Sequence, residues 1–460
     1  MASGAVGGGV EEGAGPAAGA AAGGAGGAAL PACPPRPRGA GVAEALRPGA
    51  PGGAGAGAGP AQDWGPGLAR PYRALSRWVG RLDVVVWHLN RLHYRVRLRG
   101  GAPPLFFSRG WGDIERVMRE ADAIDARVSE RGVPAAEHDP LHVDLRAADP
   151  GLAGAPGQGC PEGYFVSPAA DLLPPESKVG RCLLCGPPWD RLGGGGWEER
   201  LARAPAPAGV VVLLGATGEV DYCDRARQAA ELARHGLYCI ILMSPHYGPR
   251  KPGKQVDYFI DTVADYHFHT IAGMLEAAAL AQWALARWPA ARLCISGFSF
   301  GGVLAAGASM FVGNSLRRPV ACVPYVSCES PEVLKTGLMN GYVDYGGLVT
   351  DELKTREDVD RRMVEVHAKF NHVRLMRTFL AQRGVGGEAP LLASTHVIGT
   401  RDDHFIHPMH SRALSDVLDP LTAEGGASHE WQPGGHVVAQ AYRLLGRGQV
   451  PGILKAMARL

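Results

Sequence analysis

The chain of 460 residues contains no apolar run of the roughly 18 or more residues that a bilayer-spanning helix needs. Charge of one sign is also missing. Forty-seven Lys and Arg stand against 45 Asp and Glu, a net charge of +2, so there is no basic footprint for nucleic acid. Nine cysteines (33, 160, 182, 185, 223, 239, 294, 322, 328) follow no framework spacing, and several fall inside apolar runs. That excludes a disulfide scaffold and points to buried free thiols in a reducing compartment. Cys182-Leu183-Leu184-Cys185 has no second Cys pair to complete a metal site, and reads as part of an apolar stretch. The first 65 residues are Gly, Ala and Pro with almost no large apolar side chains. They cannot bury enough surface to offset chain entropy and are expected to be disordered. No arginine precedes Arg36, and Glu11 and Glu12 oppose a basic amphipathic leader. A secretory signal is not expected. An intracellular location follows, cytoplasmic or organellar, with mitochondrial or plastid import left open.

The rest, 66–460, is expected to form one domain. Residues 66–135 carry helical spacing, for example Leu75, Trp78, Val79 and Leu82, then Ile114, Val117 and Met118, and read as a helical preamble. Residues 135–160 read as loop. From 163 onward, strand-like and helix-like segments alternate: 163–168, 178–185, 209–214, a helix over 225–235, a strand over 238–243, a long helix over 262–287, then strands at 292–296, 320–326 and 391–398. The run Gly209-Val210-Val211-Val212-Leu213-Leu214 is continuously apolar, as a strand covered on both faces should be. The class is therefore α/β, a mostly parallel sheet with helices on both faces. Residues 328–390 interrupt the rhythm. Val359, Met363, Val366, Phe370, Val373 and Phe379 recur at helical intervals, and the segment is expected to form a helical cap over the strand C-termini.

Gly297-Phe298-Ser299-Phe300-Gly301 lies between the apolar strand 292–296 and a small-residue helical run. A serine on a sharp strand-to-helix turn needs almost no side chain two residues either side, which is why glycines flank it. Such a serine needs a base, and the base needs an orienting acid. Thr400-Arg401-Asp402-Asp403-His404 follows the strand at 391–398, and Pro433-Gly434-Gly435-His436 precedes a helical stretch. The order serine, acid, histidine is that of the α/β-hydrolase fold. Asp403 is the expected acid, with Asp402 as the alternate. The oxyanion donors are expected to be the Phe300 N–H and one from Gly215-Ala216-Thr217-Gly218, at Ala216 or Thr217. His404, His407 and His410 recur every three residues, but Pro408 breaks any helix there, so no metal site is assigned. His267 and His269 point to different helix faces. Tyr247 and Arg250, in the loop after strand 238–243, are expected to bind an anionic substrate head group.

The chain resembles the alpha/beta-hydrolase domain-containing protein 18 family. The likeness lies in Phe107-Ser108-Arg109-Gly110-Trp111-Gly112, Tyr164-Phe165-Val166-Ser167-Pro168, Gly215-Ala216-Thr217-Gly218 and Ser244-Pro245-His246-Tyr247-Gly248-Pro249-Arg250-Lys251-Pro252. It continues through the elbow, Val323-Pro324-Tyr325-Val326-Ser327, the Asp403 turn and Gly434-Gly435-His436, covering about residues 105–460. Phe300 stands where a methionine is familiar, and Val303 where a histidine is. The resemblance implies an α/β-hydrolase fold and a serine-hydrolase triad at Ser299, Asp403 and His436. The expected reaction is hydrolysis of a carboxylic ester through an acyl-enzyme, with a small-molecule or lipid ester as substrate and no cofactor. Transient contact with a membrane surface is compatible with such a substrate. The alternatives are an acyltransferase using the same triad and a non-catalytic binding protein on the same fold.

Overall fold

The computed structural model describes residues 76–98, 101–131, 141–157, 159–316, 318–383 and 390–460. The Gly/Ala/Pro segment 1–65, and Cys33 within it, lie outside the described residues. Among the described residues, nine strands form one sheet: β1 (Asp144–Ala147), β2 (Pro161–Val166), β3 (Val179–Cys185), β4 (Gly209–Leu214), β5 (Leu237–Met243), β6 (Arg292–Phe298), β7 (Val320–Tyr325), β8 (Ser394–Thr400) and β9 (Ala427–Gln432). Their order is β1-β2-β3-β5-β4-β6-β7-β8-β9. The pairs from β1 through β3 to β5 are antiparallel, and those from β5 across to β9 are parallel.

The apolar runs explain the layers. On β4, Val210, Val212 and Leu214 join one core, while Val211 and Leu213 join the other. The first core holds α4 (Val263–Arg287) and α5 (Phe300–Leu316), and the second holds α3 (Cys223–Ala233) and α9 (Gln449–Met457). A strand with apolar residues at every position therefore has a helix layer on each side. The small side chains of α5 let it lie close against α4. Gly273 and Gly307, one on each helix, face Leu304 and Met274 of the other.

Strand order reverses at β4. The chain leaves β4 for β5 on one side and later returns to β6 on the other. The loops after β4 and β6 consequently diverge, opening a crevice at their C-terminal ends, where α/β sheets place ligands.

Three local features differ from the expectations. Residues 135–160, read as loop, contain β1, a four-residue edge strand whose Asp-Leu-Arg-Ala sequence offers no clear alternation. The strand β9, Ala-Ser-His-Glu-Trp-Gln, is similarly polar because it lies at the other edge. Among the described residues of the insertion, only the first part, through Cys328, Leu334, Met339 and Tyr342, reaches the crevice. Its two long helices, α6 (Arg356–Lys369) and α7 (His372–Arg383), pack instead against α2 (Ile114–Arg131) of the preamble. Ion pairs Arg362–Glu115 (2.9 Å) and Lys369–Asp122 (2.5 Å) line that contact.

Candidate active site

Ser299 joins β6 to α5 with φ of 56°, a left-handed conformation uncommon for any residue with a side chain. The close approach that forces it is visible in the glycines. A Cβ on Gly297 would overlap the backbone of Gly301, and one on Gly301 would overlap the carbonyl of Leu214 at the end of β4. The turn is held from β7: Ser299 N–H donates to the Tyr325 carbonyl at 2.9 Å, and the Ser327 hydroxyl donates to the Ser299 carbonyl at 2.9 Å. Val326, between those two partners, is itself at φ 51°. Two adjoining strained residues thus fix one hydroxyl, the kind of strain that persists only where surrounding structure over-determines it.

Asp403 follows β8 on a tight turn. Its Oδ1 accepts the N–H groups of Phe405 (2.8 Å) and Ile406 (2.7 Å), and its Oδ2 accepts the Thr400 hydroxyl at 3.1 Å. The same Oδ2 lies 2.9 Å from His436 Nδ1. A carboxylate so placed can only accept, so the ring carries its proton on Nδ1 and leaves Nε2 as an acceptor. Burial works against the imidazolium, but the charge of Asp403, its hydrogen bond and the charge of Asp83 outweigh this, and His436 titrates above its ordinary value. The rings of Phe298 and Phe405 flank the imidazole at 5.0 and 5.4 Å. Asp402 points elsewhere. Its carboxylate takes the hydroxyl of Ser76, and its N–H donates to the Gly434 carbonyl at 3.2 Å.

Asp83 was not among the expected residues. It sits in the first turn of α1 (Leu82–Arg97) with no solvent exposure. Its Oδ2 accepts the N–H groups of His404 (3.0 Å) and His436 (2.9 Å), and its Oδ1 that of Val437 (2.8 Å). It therefore caps α8 (His436–Leu444) from another helix and ties the acid turn to the histidine. This explains Gly435: a Cβ there would overlap the Asp83 carboxylate. Burial, followed by the nearby charge of Asp403, pushes the Asp83 pKa up despite three N–H donors. The one trace in the sequence is a lone acid in the apolar run Leu82-Asp83-Val84-Val85-Val86-Trp87.

A cavity of about 780 Å³ opens at the crevice, and Ser299, His436, Phe300, Ala216 and Thr217 all line it. Phe300 begins α5, so its N–H belongs to the unpaired first turn, where the helix dipole adds positive character. Ala216 and Thr217 follow β4, whose last residue Leu214 pairs with Gly297. The switch in strand order thus sets both candidate donors beside the serine. Among the described residues no hydrogen bond joins the Ser299 hydroxyl to the His436 ring. In unliganded sites such contacts are often long and close only around substrate.

Tyr247 and Arg250 do not line the cavity. The expectation for Arg250 gives way because its guanidinium is enclosed. It meets Glu276 at 2.8 and 2.6 Å and the carbonyls of Met243 and Ser177 at 2.6 Å each. A charge this deeply buried needs an internal partner, and Glu276 supplies it. Tyr247 is also buried, with its hydroxyl against Thr217 and Gly218, behind the loop that carries the candidate oxyanion donors. His407 caps the helix Pro408–Leu418, and His410 Nδ1 lies 3.3 Å from Glu329. His267 and His269 are buried in α4, and burial holds both well below the usual imidazole value. Cys182 and Cys185 are free and buried in β3. Among the described residues no group of three or more His, Cys, Asp or Glu could hold a metal, and no helix is long and apolar enough to cross a membrane.

A sequence model of the family described as alpha/beta hydrolase domain containing 18 matches residues 104–383. The chain belongs to this family. The match includes Ser299 and its flanking glycines and ends before Asp403 and His436, so the candidate acid–base pair rests on its geometry. Similar solved structures include an esterase from an Arctic intertidal metagenomic library (14% identity, covering 66% of this chain and 95% of that one, TM-score 0.38). Others are an acetyl xylan esterase from Paenibacillus sp. R4 (16%, 71% and 90%, TM-score 0.41) and an acylaminoacyl peptidase from Pyrococcus horikoshii (11%, 70% and 42%, TM-score 0.38). Likenesses this distant carry no chemistry to this chain.

Proposed function

We propose that the protein is a serine hydrolase that cleaves a carboxylic ester through an acyl-enzyme on Ser299. The observation that carries the reading is the 2.9 Å contact between Asp403 Oδ2 and His436 Nδ1, on the wall of the cavity that also holds the elbow serine. With the proton fixed on Nδ1, His436 Nε2 takes the Ser299 proton as the hydroxyl oxygen attacks the ester carbonyl. The Phe300 N–H and an N–H from Ala216 or Thr217 receive the developing oxyanion. His436 then gives its proton to the leaving alkoxide, and the same cycle with water frees the acid. Asp83 acts as a positioning residue, holding the backbone of His436 where its ring meets Asp403.

The cavity falls within the roughly 300–1,000 Å³ usual for small-molecule sites. Val303, Leu334 and Met339 on its walls suit an acyl chain, which favours a lipid ester over a highly polar one. A fluorophosphonate probe tests the nucleophile: the native chain should label and Ser299→Ala should not. Labelling of both to the same extent would remove Ser299 from the mechanism. A panel of esters of rising chain length then reads the acyl preference.

A further inference from the structure

The helix α1 buries one face and leaves a second, apolar one exposed. Backbone helical geometry runs from residue 76 to Arg97 through a turn at Arg81. Its inner face mixes both kinds of side chain: Tyr94 and Trp87 pack on the core, while Asp83 caps α8, Asn90 donates to the hydroxyls of Tyr258 and Tyr342 (3.1 Å each), and Arg91 donates to the Gly341 carbonyl at 2.9 Å. Its outer face is apolar. Trp78, Leu82, Val85, Leu89, Leu92 and Val96 repeat at intervals of four and three, which is one stripe along a helix. All six are exposed, Trp78 at 66%, Leu89 at 57% and Val96 at 72%. A helix folded only against its own protein would turn this stripe inward, so the outward stripe calls for a partner.

Charge indicates which partner. Between residues 76 and 98 there are five arginines (77, 81, 91, 95, 97) and one acid, Asp83, which is buried. Among the described residues Arg77, Arg81 and Arg95 have no carboxylate partner, whereas Arg97 pairs with Asp257 at 2.5 Å. An apolar stripe edged with free guanidinium groups is the signature of a helix lying in the plane of an anionic lipid surface. Position gives the surface a purpose. Val86, Leu89, Asn90 and His93 of the same helix form a wall of the cavity that contains Ser299.

We infer that α1 docks the protein on an anionic lipid bilayer, with the cavity mouth facing the membrane so that a lipid enters from the headgroup region. The surface goes beyond the hydrolase reading and is measured without it, because docking is read on Ser299→Ala protein as well as native. A chain that docks and does not hydrolyse fails the one proposal and not the other.

The experiment is flotation of the full chain with vesicles of phosphatidylcholine alone and of phosphatidylcholine with phosphatidylglycerol in equal parts. Native and Ser299→Ala proteins should float with the mixed vesicles, less so as salt rises. Leu92→Ser with Val96→Ser should weaken binding at least about tenfold, from the apolar area lost, and Arg81→Glu with Arg95→Glu should weaken it on mixed vesicles. These four positions lie outside the cavity wall, so turnover of a soluble short-chain ester should stay at the native rate. Absence of binding to either vesicle, or equal binding by the Ser variant, would overturn the proposal. Equal binding to phosphatidylcholine alone would overturn the choice of an anionic surface. A photoreactive residue at position 92 that crosslinks to a second copy, or to residues 1–75, in a chain that stays off vesicles would assign the stripe to that occupant instead.

Discussion

The loop after β5 and the loops after β6, β8 and β9 invite the same inference from sequence. Both sets leave the C-terminal edge of a sheet in a parallel register, and both carry polar side chains among glycines and prolines. Their fates differ. Arg250 of the first has both terminal nitrogens of its fork held by Glu276 and by two backbone carbonyls, with the ion pair sealed from water. His436 of the second has one ring nitrogen bound to Asp403 and the other unclaimed, and 14% of its side chain still faces the cavity. Position on the sheet edge is thus not enough to mark a functional group. What makes His436 the candidate is an unused valence aimed into open space, held there by the contact of the other ring nitrogen with Asp403.

The sharpest way to break this comparison is to remove the hydroxyl that the unclaimed nitrogen of His436 is proposed to deprotonate. Ser299→Ala should lower kcat by roughly 10⁶, the scale of nucleophile removal in a triad enzyme. Its melting temperature should remain near native, since a hydroxyl facing a cavity contributes little packing. A Ser299→Ala protein with more than a small fraction of native ester turnover would place the chemistry elsewhere.

The two neighbouring aspartates make a finer test. Asp403→Asn should cost about 10⁴ in kcat, because an amide cannot hold the imidazole in the tautomer that leaves Nε2 free. Asp402→Asn touches only the Ser76 tether and the turn, so its rate should stay within about tenfold of native. Similar losses in both would mean that the Asp403–His436 contact at 2.9 Å is not the working one.

On the other side of the comparison, Arg250→Met should act on stability instead of catalysis. Removing one member of a buried ion pair leaves the other uncompensated, at a cost of about 3–5 kcal/mol. Denaturant midpoints should show that loss, and Arg250→Met with Glu276→Leu should lose less than Arg250→Met alone. KM for charged and neutral esters should change in parallel. A selective rise in KM for a phosphorylated ester, with the midpoint unmoved, would restore Arg250 to the substrate.

These contrasts show where sequence reading succeeds. The strands β4, β5 and β6 were legible because burial on two faces demands unbroken apolar runs, and Gly209–Leu214 and Leu237–Met243 have them. The elbow was legible because steric crowding dictates its glycines. The pairing of Asp403 with His436 followed from chain order and from the kind of junction each occupies. Edge strands β1 and β9 were not legible, since a strand with one free side needs no strict pattern. The surroundings of Arg250 and Asp83 were not legible for a different reason. Whether a charge meets solvent, substrate or an internal partner depends on residues far away in sequence, Glu276 in one case and His404, His436 and Val437 in the other. Local spacing carries no record of such meetings. The helices α6 and α7 had the expected amphipathic pattern, but the pattern cannot say which surface they cover, and α2 proved to be that surface.

Asp83 gives the smallest expected effect and the most specific one. The proposed cycle needs neutral His436, so kcat/KM on a neutral ester should fall on the acid side as the ring protonates. Its titration lies above the ordinary imidazole value: burial opposes the charged ring, but Asp403 and then Asp83 favour it. Asp83→Asn removes one of those negative charges and keeps the side chain's shape. With less to stabilise the imidazolium, the pKa must drop, and the acid limb should move to lower pH. The amide also presents N–H where a carboxylate oxygen accepted, so one of the three N–H groups of His404, His436 and Val437 loses its partner. Loss of such a helix cap costs about 1 kcal/mol, and the high-pH plateau should fall modestly as His436 is held less firmly. Measuring kcat/KM against pH for native and Asp83→Asn enzyme separates the two effects. A lowered plateau with an unmoved acid limb would make Asp83 a structural cap and nothing more, while an acid limb shifted upward would contradict the electrostatics of the site.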